Sequence, residues 1–165
     1  MIIHIEPWLA ELKQLRAEFE EACKSNDPFP IERALYFSAI LMRKLSETPF
    51  AAQDFLTKSI DVQIYKPNAG FVDGLNWLDA ESHFDFSHGE PTRISFLDIC
   101  NTLIHSLFLN WRPSSGLVEE LLIAGGMRNR TGAIGFSPSQ FVAILQYVED
   151  YPYKNFPLPT ARRAS

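Results

Sequence analysis

The chain is short of cysteine, of basic charge and of long apolar runs, and each shortage excludes a class of protein. Two cysteines, Cys23 and Cys100, are too few for a disulfide framework. Both fall among apolar, helix-patterned residues, which points to a reduced, cytoplasmic setting. Fifteen Lys and Arg face twenty Asp and Glu, a formal charge of −5. A protein that grips a nucleic-acid backbone without sequence preference shows the opposite balance. Residues 1–60 carry seven basic and nine acidic side chains, 61–112 three and seven, and 113–165 five and four. Any basic surface is therefore local, and only the last third has a positive balance. The longest nearly apolar run, residues 34–42 with Ser38 inside it, is roughly half a membrane span, so no membrane partner is expected. Residues 1–6 lack the basic and apolar segments of a signal peptide. There is no Gly-x-Ser-x-Gly, no His-Glu-x-x-His and no dinucleotide fingerprint. No internal repeat or low-complexity tract is present.

What remains has the composition of a globular domain: 46% apolar and 21% charged residues, with thirteen Phe, five Tyr and three Trp for a core. A chain of 165 residues suits one domain. It is assigned to residues 1–151, followed by a proline- and arginine-bearing tail at 152–165.

Apolar periodicity predicts a helix over 5–23, with Ile5, Trp8, Leu9, Leu12, Leu15, Phe19 and Ala22 on one face. A second helix over 31–47 is apolar nearly all round, which implies a central helix covered on several sides. A short helix is expected at 51–58. Residues 59–65 alternate as a strand does. Residues 83–86 and 93–96 flank a turn-like 87–91 and predict a hairpin. A third long helix is expected over 96–107, with Ser95 and Asp98 at its start resembling a capping box. Strands follow at 108–111, 117–124 and 132–136. A last helix over 138–151 opens on Ser137, Pro138 and Gln140, a capping box with proline at the first position. The sum is an α+β domain, expected as a bundle of about four helices with inserted and appended antiparallel strands and hairpins. Trp8, Leu35, Ile99 and Leu145 are expected in its core.

Three stretches carry chemistry. On the third helix Asp98, Asn101, Thr102 and His105 share one polar stripe, since residues three and four apart lie on one face. An imidazole with an amide one turn away can act as a general base or donate to phosphate; alternatively it caps a buried hydrogen-bond network or simply faces solvent. His83, Asp85 and His88 could approach a divalent ion, or be exposed hairpin residues, and no regular ligand spacing or fourth ligand accompanies them. Residues 125–132 form a glycine-rich basic turn whose amides, with Arg128 and Arg130, could cradle phosphate. They lack the phosphate-loop lysine, so a solvated turn is the plainer expectation. No residue set calls for a cofactor or completes a metal site.

Residues 35–43, ending in Arg43, followed by Cys100-Asn-Thr-Leu-Ile-His105 on a later helix, resemble HEPN-type proteins. The resemblance covers roughly residues 31–107. In that family a helix carries an arginine, then a polar residue, then after a short interval a histidine. The resemblance implies a helical bundle that forms a homodimer. It also implies RNA or nucleotide binding, or metal-independent RNA cleavage, in a defence or toxin–antitoxin setting. Asn101 matches the polar position and His105 the histidine. Cys100 stands where the family has arginine, so Arg43 or Arg93 would have to supply the cation. The site residues the resemblance implies are therefore His105, Asn101 and Arg43. The alternative is a non-catalytic interaction or dimerisation protein with no enzyme activity, which the acidic balance and Cys100 favour.

Overall fold

The computed structural model describes residues 4–52, 54–68, 82–125 and 132–153. Two helices come first, α1 (Glu6–Ser25) and α2 (Pro28–Ser46). Pro7 and Pro28 sit in their first turns, where a missing N–H costs nothing. Asn26 ends α1 in the left-handed conformation, φ 52°, and its side chain accepts from the Trp111 indole at 2.8 Å. Strands β1 (Ser59–Pro67) and β2 (Phe84–Ser95) follow, then α3 (Phe96–Ile104), β3 (Ser106–Ser114), β4 (Leu117–Gly125), β5 (Ala133–Phe136) and α4 (Pro138–Glu149). The expected capping box at α4 is complete, with Ser137 and Gln140 satisfying each other's backbone N–H. At α3 the Ser95 hydroxyl accepts from the Asp98 N–H but donates to the Asp98 carboxylate, so only one arm of a box forms.

All strand pairs are antiparallel, in one sheet of order β2-β1-β5-β4-β3. This corrects the expected helical bundle with appended hairpins. The sheet is central, and the helices pack on one of its faces. Val62, Leu121, Ile123, Ile134 and Phe136 point from the sheet into a core shared with Leu12, Phe19, Leu35, Met42, Ile99, Phe141 and Leu145. Arg16 on α1 clasps Glu149 on α4 at 2.7 and 3.0 Å, tying the first helix to the last.

Five local expectations also change. Residues 87–91 are not a turn: β2 runs unbroken and pairs with β1 from Ser59–Ser95 to Tyr65–Gly89. Its residues 87–93 are exposed on a sheet edge, where Pro91 is tolerated. The third helix stops at Ile104, so His105 is its C-cap and the next residue begins β3. Residues 54–57 form a turn instead of a helix. Trp8 is 41% exposed, and α2 leaves Phe29, Phe37 and Ile40 exposed, so it is not covered all round; Leu35, Ile99 and Leu145 are fully buried as expected.

The opposite face of the sheet has its own cluster: Tyr65, Phe84, Phe108, Leu122, Ala124 and Ala133 are buried there, with Phe86 against them. The two edge strands meet across this face. Phe84 and Phe86 of β2 lie 5.9 and 6.3 Å, centroid to centroid, from Phe108 of β3. Arg112 of β3 donates to the Phe86 carbonyl at 3.0 Å. The slack comes from a register break: β1 takes two steps from Tyr65 to Pro67 where β2 takes five from Gly89 to Phe84. The sheet is therefore curled, with the helices outside the curl.

Candidate functional site

Position along each strand decides what faces the inside of the curl, because side chains alternate between faces. Tyr65 and Gln63 come from β1, Gly135 from β5, Glu120 from β4 and Arg112 from β3. The Tyr65 hydroxyl donates to Glu120 Oε1 at 2.7 Å, and Arg112 Nη1 sits 3.2 Å from Glu120 Oε2. The Arg112 guanidinium also lies 5.0 Å from the centroids of both the Tyr65 and Phe86 rings. One carboxylate thus holds a phenol and a guanidinium, and the guanidinium is flanked by two aromatic rings. Burial, and then the bond to Glu120, push the Tyr65 hydroxyl up to about 12, so it stays protonated as a donor.

Gly135 makes this packing possible. A Cβ there would lie 2.6 Å from Tyr65 Cε2 and closer still to Glu120 Oε1. Immediately before the same strand Gly132 has φ +103°, and a Cβ would strike the Tyr65 carbonyl. Beside the network a cavity of about 470 Å³ opens, with Asp61, Gln63, Arg112, Glu119, Glu120 and Gln140 among its walls. Glu119 and Glu120 both line it, although neighbours on a regular strand face opposite ways. The reason is a bulge: β3 takes one step from Arg112 to Pro113 where β4 takes two, from Glu120 to Val118, leaving Glu119 as the extra residue.

The residues singled out by the HEPN resemblance lie elsewhere. Arg43 Nη1 donates to Asn101 Oδ1 at 3.3 Å, so α2 does bring a cation to the polar residue beside Cys100. Arg43 also pairs with Glu47 at 3.1 Å. The His105 N–H bonds the Asn101 carbonyl at 3.1 Å, and its imidazole is exposed. A second cavity, of about 410 Å³, is lined by Arg43, Thr48, Phe55 and Leu97 but by neither Asn101 nor His105. Thr102 is buried and bonds the Asp98 carbonyl at 2.8 Å, which takes it out of the expected polar stripe. Arg93 is on β2, 3.3 Å from Asp61. Cys100 is fully buried, and burial pushes its thiol up to about 12, which removes it as a nucleophile.

Asp85, Ser87 and His88 form an exposed cluster. Asp85 Oδ2 and the Ser87 hydroxyl both approach His88 Nδ1 at 2.9 Å. A nucleophilic serine needs the second ring nitrogen, with the carboxylate on the first, so this is not a triad. His83 does not join it as a ligand set: among the described residues no group of three His, Cys, Asp or Glu side chains is placed to hold a metal ion. Most of the 125–132 turn lies outside the described residues. Among the described residues no helix is long and apolar enough to cross a membrane. Sequence reasoning missed Tyr65, Arg112, Glu120 and Gly135 as a site. One signal was available, since a glycine inside a short apolar strand marks a close approach by another group.

Comparison with family models, with curated proteins and with solved structures gives no match.

Proposed function

We propose that the chain is a non-catalytic binding protein and that the mouth of the curled sheet holds its ligand. The observation that carries this reading is the cavity beside the Tyr65–Glu120–Arg112 network. Its volume falls in the range of ligand pockets, and mouths of curled or closed sheets are a common place for them. Polar groups from three strands and from α4 converge on it, which suits orientation of a ligand. The chemistry suits binding better than turnover: the phenol is held protonated and Glu120 is engaged by both oxygens. The test is a nuclear magnetic resonance titration with a mixed set of small fragments. Amides of Gln63, Glu119 and Gly135 should shift together. Glu119→Trp, on the exposed rim, should suppress those shifts without lowering the melting temperature. Fragments that leave these amides unmoved at millimolar concentration refute the reading.

A second reading keeps the HEPN resemblance, and the Arg43–Asn101 hydrogen bond favours it by supplying the cation missing at Cys100. RNA would then be contacted at Arg43, Asn101 and the exposed His105. On that reading His105→Ala abolishes cleavage of labelled single-stranded RNA and EDTA leaves it intact. Equal cleavage by wild type and His105→Ala would reject it.

A further inference from the structure

The stretch of β2 that closes the curl is also the stretch least tied to the sheet. A single residue of β1, Lys66, stands opposite residues 85–88 of β2, which therefore have no counterparts in the register. Both ends of the stretch are anchored. Gly89 pairs with Tyr65 and Phe84 with Pro67, and the Asn68 N–H donates to the His83 carbonyl at 2.7 Å. Between the anchors polar groups bond to one another: the Ser87 N–H donates to Asp85 Oδ1 at 3.0 Å, and His88 Nδ1 lies 2.9 Å from Asp85 Oδ2.

The remaining contacts cross to β3. The Phe84 and Phe86 rings lie against Phe108, and Arg112 donates to the Phe86 carbonyl at 3.0 Å with its guanidinium 5.0 Å from the Phe86 ring. The β3 side is fixed, because it pairs with β4 along its length and the Trp111 indole is bonded to Asn26 at the end of α1. We infer that residues 84–88 form a flap, latched to β3 by Arg112, that opens as a unit between its anchored ends and gates the interior of the curl. Opening breaks the latch and a few ring contacts, whereas global unfolding breaks the whole core. Local openings of this kind precede global unfolding wherever a segment has few contacts of its own. Phe108, Leu122, Ala124 and Ala133 are buried in one cluster with the Phe84 ring, so the uncovered surface is apolar and the gate admits apolar molecules. The flap requires no ligand in the mouth cavity, and its opening is independent of the binding reading above.

Thiol labelling of the full chain tests it. Ala124→Cys puts a thiol in the cluster under the flap. Cys100, fully buried on the helix side, reports global unfolding in the same molecule. The new thiol should react faster than Cys100, at a rate that low denaturant leaves unchanged. Two further substitutions loosen the latch by different routes. Arg112→Lys keeps a positive charge beside Glu120 and loses the planar fork; Phe86→Leu leaves the Tyr65–Glu120–Arg112 network whole. Each should speed labelling of the new thiol about tenfold and that of Cys100 far less. N-phenylmaleimide should outpace a charged sulfonate reagent, each scaled to its rate with a free thiol. Equal rates at the two thiols overturn the flap, and so does equal speeding of both by the latch variants. Labelling of the new thiol that neither variant speeds overturns the latch. Faster labelling by the charged reagent overturns the apolar gate.

Discussion

Replacing Gly135 by alanine puts a methyl group where the structure has the Glu120 carboxylate and the edge of the Tyr65 ring. The added carbon would lie 2.6 Å from Tyr65 Cε2 and nearer to Glu120 Oε1, distances at which one of them has to move. Glu120 is the softer neighbour, but it is held by the Tyr65 hydroxyl at 2.7 Å and by Arg112 at 3.2 Å. Moving it costs overpacking of about 1–3 kcal/mol and a charged hydrogen bond of about 1.5–3 kcal/mol. A loss of roughly 3 kcal/mol lowers the melting temperature of a chain this size by about 6–12 °C. The control is Glu120→Ala, which removes the carboxylate and leaves only the ring contact. In that background Gly135→Ala should cost less, by about 1–2 kcal/mol, a coupling of the size expected for touching residues. Thermal and denaturant unfolding of the four proteins measures it. Strict additivity, or a Gly135→Ala variant as stable as wild type, would show that the network does not depend on the missing Cβ.

Ser38 is fully buried on α2, and its hydroxyl has no hydrogen-bond partner among the described residues. Ser38→Ala should therefore raise stability by about 1 kcal/mol, visible as a higher denaturant midpoint; a lower midpoint would mean that the hydroxyl is satisfied. Stability should fall as the solution turns alkaline. Burial raises the thiols of Cys23 to about 11 and Cys100 to about 12 from an ordinary 9.0, and the Tyr65 hydroxyl to about 12 from 10.0. The folded chain thus holds these protons more tightly than the unfolded one. Their contribution is complete below pH 9 and is lost between about pH 9 and 12. Cys100→Ala should flatten that loss, and an unchanged slope would refute the assignment.

Much of the local structure is legible in the residues alone. The i, i+3, i+4 spacing along α1, the Ser137–Gln140 box at α4 and the alternation of β1 each lie within a dozen neighbouring positions. The elements formed close to where those patterns lie. The burial of Leu35, Ile99 and Leu145 follows from the same periods. The turn-like 87–91 misled because glycine and proline are also tolerated on an exposed edge strand. Whether such a stretch turns back or continues depends on β1, its partner some thirty positions away. Phe37 and Ile40 on α2 look like core residues by composition, yet they are exposed. An apolar pattern shows that a helix has something to bury, and only its neighbours decide on which side.

Of the expected site, Arg43 and Asn101 do meet, although nothing in their separation of 58 positions requires it. The cavity was not legible at all. Glu120 and Arg112 look like ordinary outward charges on a half-buried hairpin, and Tyr65 like a strand aromatic. They become a network because β5 enters between β1 and β4, pairing Gln63 with Gly135 and Gly135 with Leu122. Sequence by itself determined most of the helix and strand segments, because each such preference is a short-period property of adjacent residues. Tertiary structure decided the strand order, the curl and the composition of the site. Those depend on free energies of contact between distant segments, which no local window contains.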